Sequence, residues 1–242
     1  MPGRYTLTKL PQSVPVALGE PLPVRHTSKA QFQSRFNIAP TQNNLVLLPS
    51  DAGKTIDAAY MRWGLVPSWS KEEKTNTLLI NARSENAAEK PSFKAAYLRR
   101  RCLVPADGYY EWKRQRNAAQ PFYFQFKDED VFYIAGLWEA WQNNQGNLSE
   151  SYAILTTRPN ELVARYHERM PAILIGDHID KWLAGDPAIS DPSERLRFFE
   201  PISSDQMKCR PVSHRVNSNR NEGPDCLNPP ETEAKTQLDL GF

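Results

Sequence analysis

Arg101-Cys102-Leu103-Val104-Pro105-Ala106-Asp107-Gly108-Tyr109-Tyr110-Glu111-Trp112-Lys113 is the stretch on which the fold turns. β-forming residues lie on both sides of a break at 105–108, which reads as strand, turn, strand. The same pattern recurs along the chain. Residues 121–126 and 131–138 are aromatic-rich strands joined by a charged turn at 127–130. Residues 45–48 and 58–65 are strand candidates, the second ended by Val66-Pro67, and 152–156 is another. Helical character is confined to 159–167, 178–183 and 192–199. The first forty residues hold several prolines and little periodicity, so they read as irregular structure with one short strand or helix. Many short strands with peripheral helices point to an α+β fold around an antiparallel sheet or barrel. The expected division is one domain over 1–230 and a disordered tail over 231–242.

A chain of 242 residues with 40% hydrophobic and 24% charged residues is long enough to bury a substantial core. No apolar run is long enough to span a bilayer, and the N-terminus lacks the pattern of a signal peptide. Cys102, Cys209 and Cys226 are widely spaced and odd in number, which argues against a disulfide framework and for a reduced, cytoplasmic setting. The histidines form no ligand spacing with them, so neither a metal site nor a cofactor is expected. Walker, dinucleotide-binding and serine-elbow motifs are absent.

A net charge of +2 does not by itself imply nucleic-acid binding. Arg99, Arg100 and Arg101, with Lys113, Arg114 and Arg116, are either phosphate-neutralising clusters or a solvated face. Trp63, Trp69 and Trp112 either stack on bases or belong to the core. Asn81 and Arg83 lie two apart on an extended stretch and point the same way, either a pair suited to an oxyanion or phosphate or a polar pair at a strand end. Glu111, set among aromatic residues, is a candidate general acid with a raised pKa, or else a paired strand carboxylate. His167 closes a helical stretch, where it serves as an acid–base group or as a structural histidine. Pro2 is small enough to permit removal of Met1, which would expose a secondary amine able to attack an aldehyde.

Taken in order, these segments resemble the SOS-response-associated peptidase (SRAP) family of abasic-site processing proteins. The resemblance is carried by Gly3-Arg4-Tyr5, Arg35-Phe36-Asn37-Ile38-Ala39-Pro40, Trp63-Gly64-Leu65-Val66-Pro67-Ser68-Trp69 and Ile80-Asn81-Ala82-Arg83-Ser84-Glu85. It continues through the stretch at 101–112, His167-Glu168-Arg169-Met170-Pro171, Pro211-Val212-Ser213, Val216-Asn217 and Cys226-Leu227. It implies a single α+β domain, probing single-stranded DNA with a positively charged groove and capturing abasic sites. It also implies catalytic roles for the N-terminal residue, Asn81, Glu111 and His167, and DNA contacts from Arg4, Pro40, Trp69, Arg83 and Arg169. The expected partner is abasic single-stranded DNA, met by a monomer without a membrane.

The sequence departs from the family where a cysteine follows the initiator methionine. That cysteine closes a stable thiazolidine with the sugar aldehyde, and it underlies the family's peptidase (hydrolase) label. Pro2 has no thiol, so the resemblance implies a reversible iminium with possible lyase chemistry. The alternatives are a DNA-binding module without covalent chemistry, and an engineered replacement of the cysteine in an ordinary cross-linking member.

Overall fold

The strand–turn–strand stretch at the centre of the chain joins two different sheets. In the computed structural model, which describes residues 2–14, 22–26, 32–50, 55–73, 77–114, 119–128 and 131–231, Arg101–Ala106 and Gly108–Arg114 are both strands. The first pairs with Phe132–Gln142 in a ten-stranded sheet. The second lies between Tyr5–Leu7 and Ala119–Phe126 in a five-stranded sheet. Asp107 is the corner. Its carboxylate accepts from the Thr6 hydroxyl, and from the backbone N–H and hydroxyl of Thr8, each at 2.5 Å. Glycine is required next to it, because a Cβ on Gly108 would lie 2.2 Å from the Tyr123 ring.

The charged turn after Phe126 does the same. Ala119–Phe126 belongs to the five-stranded sheet and Phe132–Gln142 to the ten-stranded one, so it links sheets rather than closing a hairpin. The two sheets share one core. Tyr5 from the smaller sheet packs edge-on against Trp63 from the larger, at 5.3 Å between centroids, and its hydroxyl pairs with that of Tyr152 at 2.7 Å. Arg101–Ala106 is buried on both faces, partly by the helix Asp177–Ala184, whose Trp182 donates to the Cys102 carbonyl at 2.9 Å. On its outer face the smaller sheet carries Tyr110 and Tyr123, covered by Val212, Val216 and Cys226.

The fold is α+β in a single domain, as the pattern of elements implies. Two local expectations change. The first forty residues contain the strands Tyr5–Leu7, Ser13–Val14, Leu22–His26 and Arg35–Ile38. Partners far away in sequence supply their ladders; Tyr5, for example, pairs with both Ile38 and Tyr109. Residues 159–167 form turns around the short 3₁₀ helix Val163–Arg165. Just before it, the Asn160 side-chain oxygen accepts from Val163 N at 2.9 Å while its amide donates to the Ile202 carbonyl at 3.0 Å. The expected tail, apart from Glu231, falls outside the described residues.

Candidate functional site

Residues 2–7 run antiparallel to the Gly108–Arg114 strand. Tyr5 pairs with Tyr109, Thr6 with Gly108, and Tyr110 N donates to the Arg4 carbonyl at 3.0 Å. Extending this register sets Gly3 across from Glu111. Pro2, next in line, is buried, and its carbonyl accepts from Asn81 Nδ2 at 3.0 Å. Asn81 begins the Asn81–Arg83 strand, which pairs in parallel with Leu148–Thr157 of the larger sheet. The site therefore sits where the two sheets meet. Asn81 Oδ1 is buried and has no hydrogen-bond partner among the described residues, which leaves an acceptor available beside Pro2.

Glu111 is 3% exposed. Burial pushes its carboxyl up to about 7, against the opposing pull of the chain's α-amino group and of a backbone hydrogen bond from Trp112. A carboxyl balanced near neutrality can both donate and accept a proton.

His167 reaches the site through its neighbour. Tyr166 packs on Phe122 and Phe124 at 4.6 and 5.2 Å between centroids, and Phe122 is the register partner of Glu111. The backbone N–H of Arg169 donates to His167 Nδ1 at 2.9 Å. Nδ1 also lies 3.3 Å from the Arg169 carbonyl, so it accepts from the N–H in the neutral ring and faces a carbonyl acceptor when protonated. Burial first, then the α-amino charge, lowers the His167 pKa, against the opposing pull of a backbone hydrogen bond at Arg169 and of the Glu168 charge. The carboxyl is pushed up and the imidazole down, a separation that divides acid and base roles between two groups.

The cations differ in their surroundings. Arg83 is exposed. Arg4 Nη1 donates to Asn37 Oδ1 at 2.9 Å and to the Val216 carbonyl at 2.7 Å, and burial lowers its pKa. Arg169 forks onto Glu85 at 2.6 and 2.8 Å and also donates to the Thr156 carbonyl at 2.6 Å. The run of three arginines does not act as one patch. Arg100 pairs with buried Glu139, and Arg101 is buried, 4.9 and 4.7 Å from the rings of Tyr97 and Trp182. Lys113 lies 5.5 Å from the Tyr166 ring.

The tryptophans separate likewise. Trp63 is core, fully buried and stacked on Tyr152. Trp112 donates to Asn217 Oδ1 at 2.7 Å. Trp69 is 65% exposed. Its loop is tied down by Ser68 N donating to Glu139 at 3.0 Å and by Trp141 donating to the Ser70 carbonyl at 2.8 Å. Pro40 is half-buried at a turn whose next residue, Thr41, has φ +73, a conformation β-branched residues rarely adopt.

Pro2, Asn81, Glu111 and His167 thus converge from four separate segments. The arrangement places a carboxyl and an imidazole suited to proton transfer near Pro2, whose carbonyl the Asn81 amide holds. Glu85 and Tyr166 were not singled out by the sequence. Glu85 stands in the Asn81–Glu85 segment, but its partner lies 84 residues away. No group of three His, Cys, Asp or Glu residues positioned to hold a metal occurs among the described residues, and no described helix is long and apolar enough to cross a membrane.

Comparison with known proteins shows the family of the chain. The profile of the SOS response associated peptidase (SRAP) family matches residues 1–219. The chain is 36% identical over 200 residues to the abasic site processing protein YoqW of Bacillus subtilis, covering 82% of this chain and 88% of YoqW. It is 34% identical to the abasic site processing protein HMCES of Xenopus tropicalis, covering 81% of this chain and 66% of HMCES. Among solved structures, a Bacteroides thetaiotaomicron protein superposes with a TM-score of 0.68 at 27% identity, covering 78% of this chain and 82% of that one.

Proposed function

Because the chain belongs to the SOS response associated peptidase family, whose curated relatives are abasic site processing proteins, we propose that it captures abasic sites in single-stranded DNA through the nitrogen of Pro2. The observation that carries this reading is the meeting of Pro2, Asn81 and Glu111 at the junction of the sheets. Removal of Met1 turns the Pro2 nitrogen into a secondary amine. In its neutral form that amine attacks the open-chain aldehyde of the sugar. A C–N bond forms and the carbonyl π-pair moves to oxygen.

Glu111 takes the proton from the new ammonium nitrogen and delivers it to that oxygen, giving a neutral carbinolamine. His167, as the imidazolium protonated on both ring nitrogens, gives a proton to the hydroxyl and becomes the neutral imidazole, and water leaves as the nitrogen lone pair forms the iminium. The balance is one amine, one aldehyde and one proton giving one iminium cation and one water. With no thiol at position 2, no thiazolidine closes. The iminium reverses by hydrolysis. Alternatively, loss of a proton from the neighbouring sugar carbon expels the 3′ phosphate and cuts the strand. Asn81 Oδ1 accepts a hydrogen bond from a sugar hydroxyl. Arg83 and Arg4 supply positive charge toward the phosphates, Trp69 and Pro40 contribute the DNA-facing surface, and Arg169 holds the His167 turn against Glu85.

Borohydride trapping on an abasic oligonucleotide tests the proposal, with intact mass verifying Met1 removal. A covalent adduct that depends on reductant is expected. Salt-sensitive binding with no adduct from processed protein would establish a binding module instead.

A further inference from the structure

We propose that Tyr109 is a positioning residue for Glu111, its hydroxyl donating to the ionised carboxylate during proton transfer. This rests on Glu111 being the proton-transfer group of the reading above.

The two residues lie two apart on the Gly108–Arg114 strand, so their side chains leave the same face of the sheet. Tyr109 is fully buried, and its hydroxyl has no hydrogen-bond partner among the described residues. Other buried tyrosines behave differently. Tyr97 donates to the Ile189 carbonyl at 3.1 Å, Tyr110 to the Phe36 carbonyl at 2.6 Å, and Tyr123 pairs with the Thr6 hydroxyl at 2.7 Å. Buried hydroxyls are normally satisfied, so an unsatisfied one beside an acid–base carboxyl calls for a functional explanation.

The Tyr109 ring cannot turn out to water. It stacks on Phe124 at 5.1 Å and 14°, and its strand is paired on both sides. Its ionised form is opposed by Glu111, which puts the two side chains within one another's field. The positive chain terminus helps to hold the Glu111 charge. Once Met1 is removed and the Pro2 nitrogen becomes an iminium, that nitrogen carries no N–H to donate. The neighbouring hydroxyl on the same strand face is then the donor available to the carboxylate. The hydroxyl serves the carboxylate whenever it is ionised, in the free protein as in the reacting complex.

Other titratable groups surround the pair: the α-amino group, Cys209 across the sheet, and His167, which lies in the same α-amino field. Tyr109→Phe leaves all three in place and removes one oxygen. The Glu111 carboxyl is followed in the free full-length protein by its infrared carbonyl stretch, as a difference against Glu111→Gln. Tyr109→Phe is expected to raise the Glu111 titration by about one pH unit. It is also expected to move the acid limb of the trapping-rate profile the same way, without lowering the melting temperature. An unchanged titration overturns the proposal, as does a lowered melting temperature with both profiles unmoved. Fluorotyrosine at position 109, a stronger donor that keeps the ring, is expected to shift the titration downward, and an unmoved titration there overturns the proposal equally. Absence of a trapped adduct in every protein would overturn the Pro2 reading, while the infrared titration, which needs no DNA, still decides Tyr109.

Discussion

The side-chain amide of Asn81 donates to the backbone carbonyl of Pro2 across 3.0 Å, linking the segment that leads into the first strand of the smaller sheet to a parallel strand of the larger. Because this bond orients the residue that carries the amine, its loss should cost rate more than stability. Asn81→Ala is expected to slow borohydride trapping by about 10- to 100-fold, an effect of misplacing a reacting group. Its melting temperature should fall only slightly, since the bond to the Pro2 carbonyl is the one hydrogen bond lost and Oδ1 has none to lose. Single-turnover trapping and thermal melts check both parts.

Glu111 should make the protein less stable as pH rises. Its folded pKa of about 7 lies above the ordinary 4.5, so the folded state holds its proton to higher pH than the unfolded chain does. Stability is therefore lost as pH climbs from about 4.5 to 7 and is not regained above. The full shift corresponds to an upper value of about 3 kcal/mol. Glu111→Gln is expected to be more stable than the parent at pH 8, by about 1–3 kcal/mol, and to match it at pH 4. Urea melts at the two pH values measure this, and the same variant should lose trapping activity.

Arg169 and Glu85 should behave as one unit. Burial works against the Glu85 charge, but the Arg169 fork outweighs it and holds the carboxyl below its ordinary range. That contribution is present above the unfolded pKa and is lost as pH falls through the folded one. The side chains are 11% and 32% exposed, so a double-mutant cycle between Arg169→Ala and Glu85→Ala should give a coupling of about 1 kcal/mol. Arg169→Lys keeps the charge but not the fork, and should recover less than half of it.

Trp69 and Trp63 should give opposite results. Trp69 is 65% exposed and Trp63 is fully buried. Trp69→Ala is expected to weaken single-stranded DNA binding by about 1–3 kcal/mol with little change in stability. Trp63→Ala is expected to cost about 3–5 kcal/mol of folding free energy. Fluorescence anisotropy and denaturant melts separate the two.

Much of this arrangement was legible in the sequence. Local patterning marks the strands around Leu103, Tyr110, Phe124 and Tyr152, because each alternates or clusters β-forming residues within one segment. What local pattern cannot carry is sheet membership. The break at Asp107 reads as a turn, and its role as the corner between sheets depends on Thr6 and Thr8, about a hundred residues away. The short strand at Tyr5 gains its ladder only from Ile38 and Tyr109. Residue chemistry singled out Asn81, Glu111 and His167. It could not foresee that Arg101 is buried against Tyr97 and Trp182, or that Glu85 holds Arg169, since both outcomes depend on which distant segment arrives beside the charge.

Pro2→Cys should convert one chemistry into the other. A thiol at that position permits the ring closure that Pro2 forbids. The variant is expected to give an adduct that survives heating without borohydride, seen as a shifted band on a denaturing gel, whereas the parent needs reductant.

The most direct measurement is peptide mass mapping of the borohydride-reduced complex between the Met1-processed protein and an abasic single-stranded oligonucleotide. The account predicts one N-terminal peptide carrying the reduced sugar remnant on the Pro2 nitrogen, and none when reductant is omitted. A remnant on another residue, or processed protein that binds the oligonucleotide without any adduct, would contradict it.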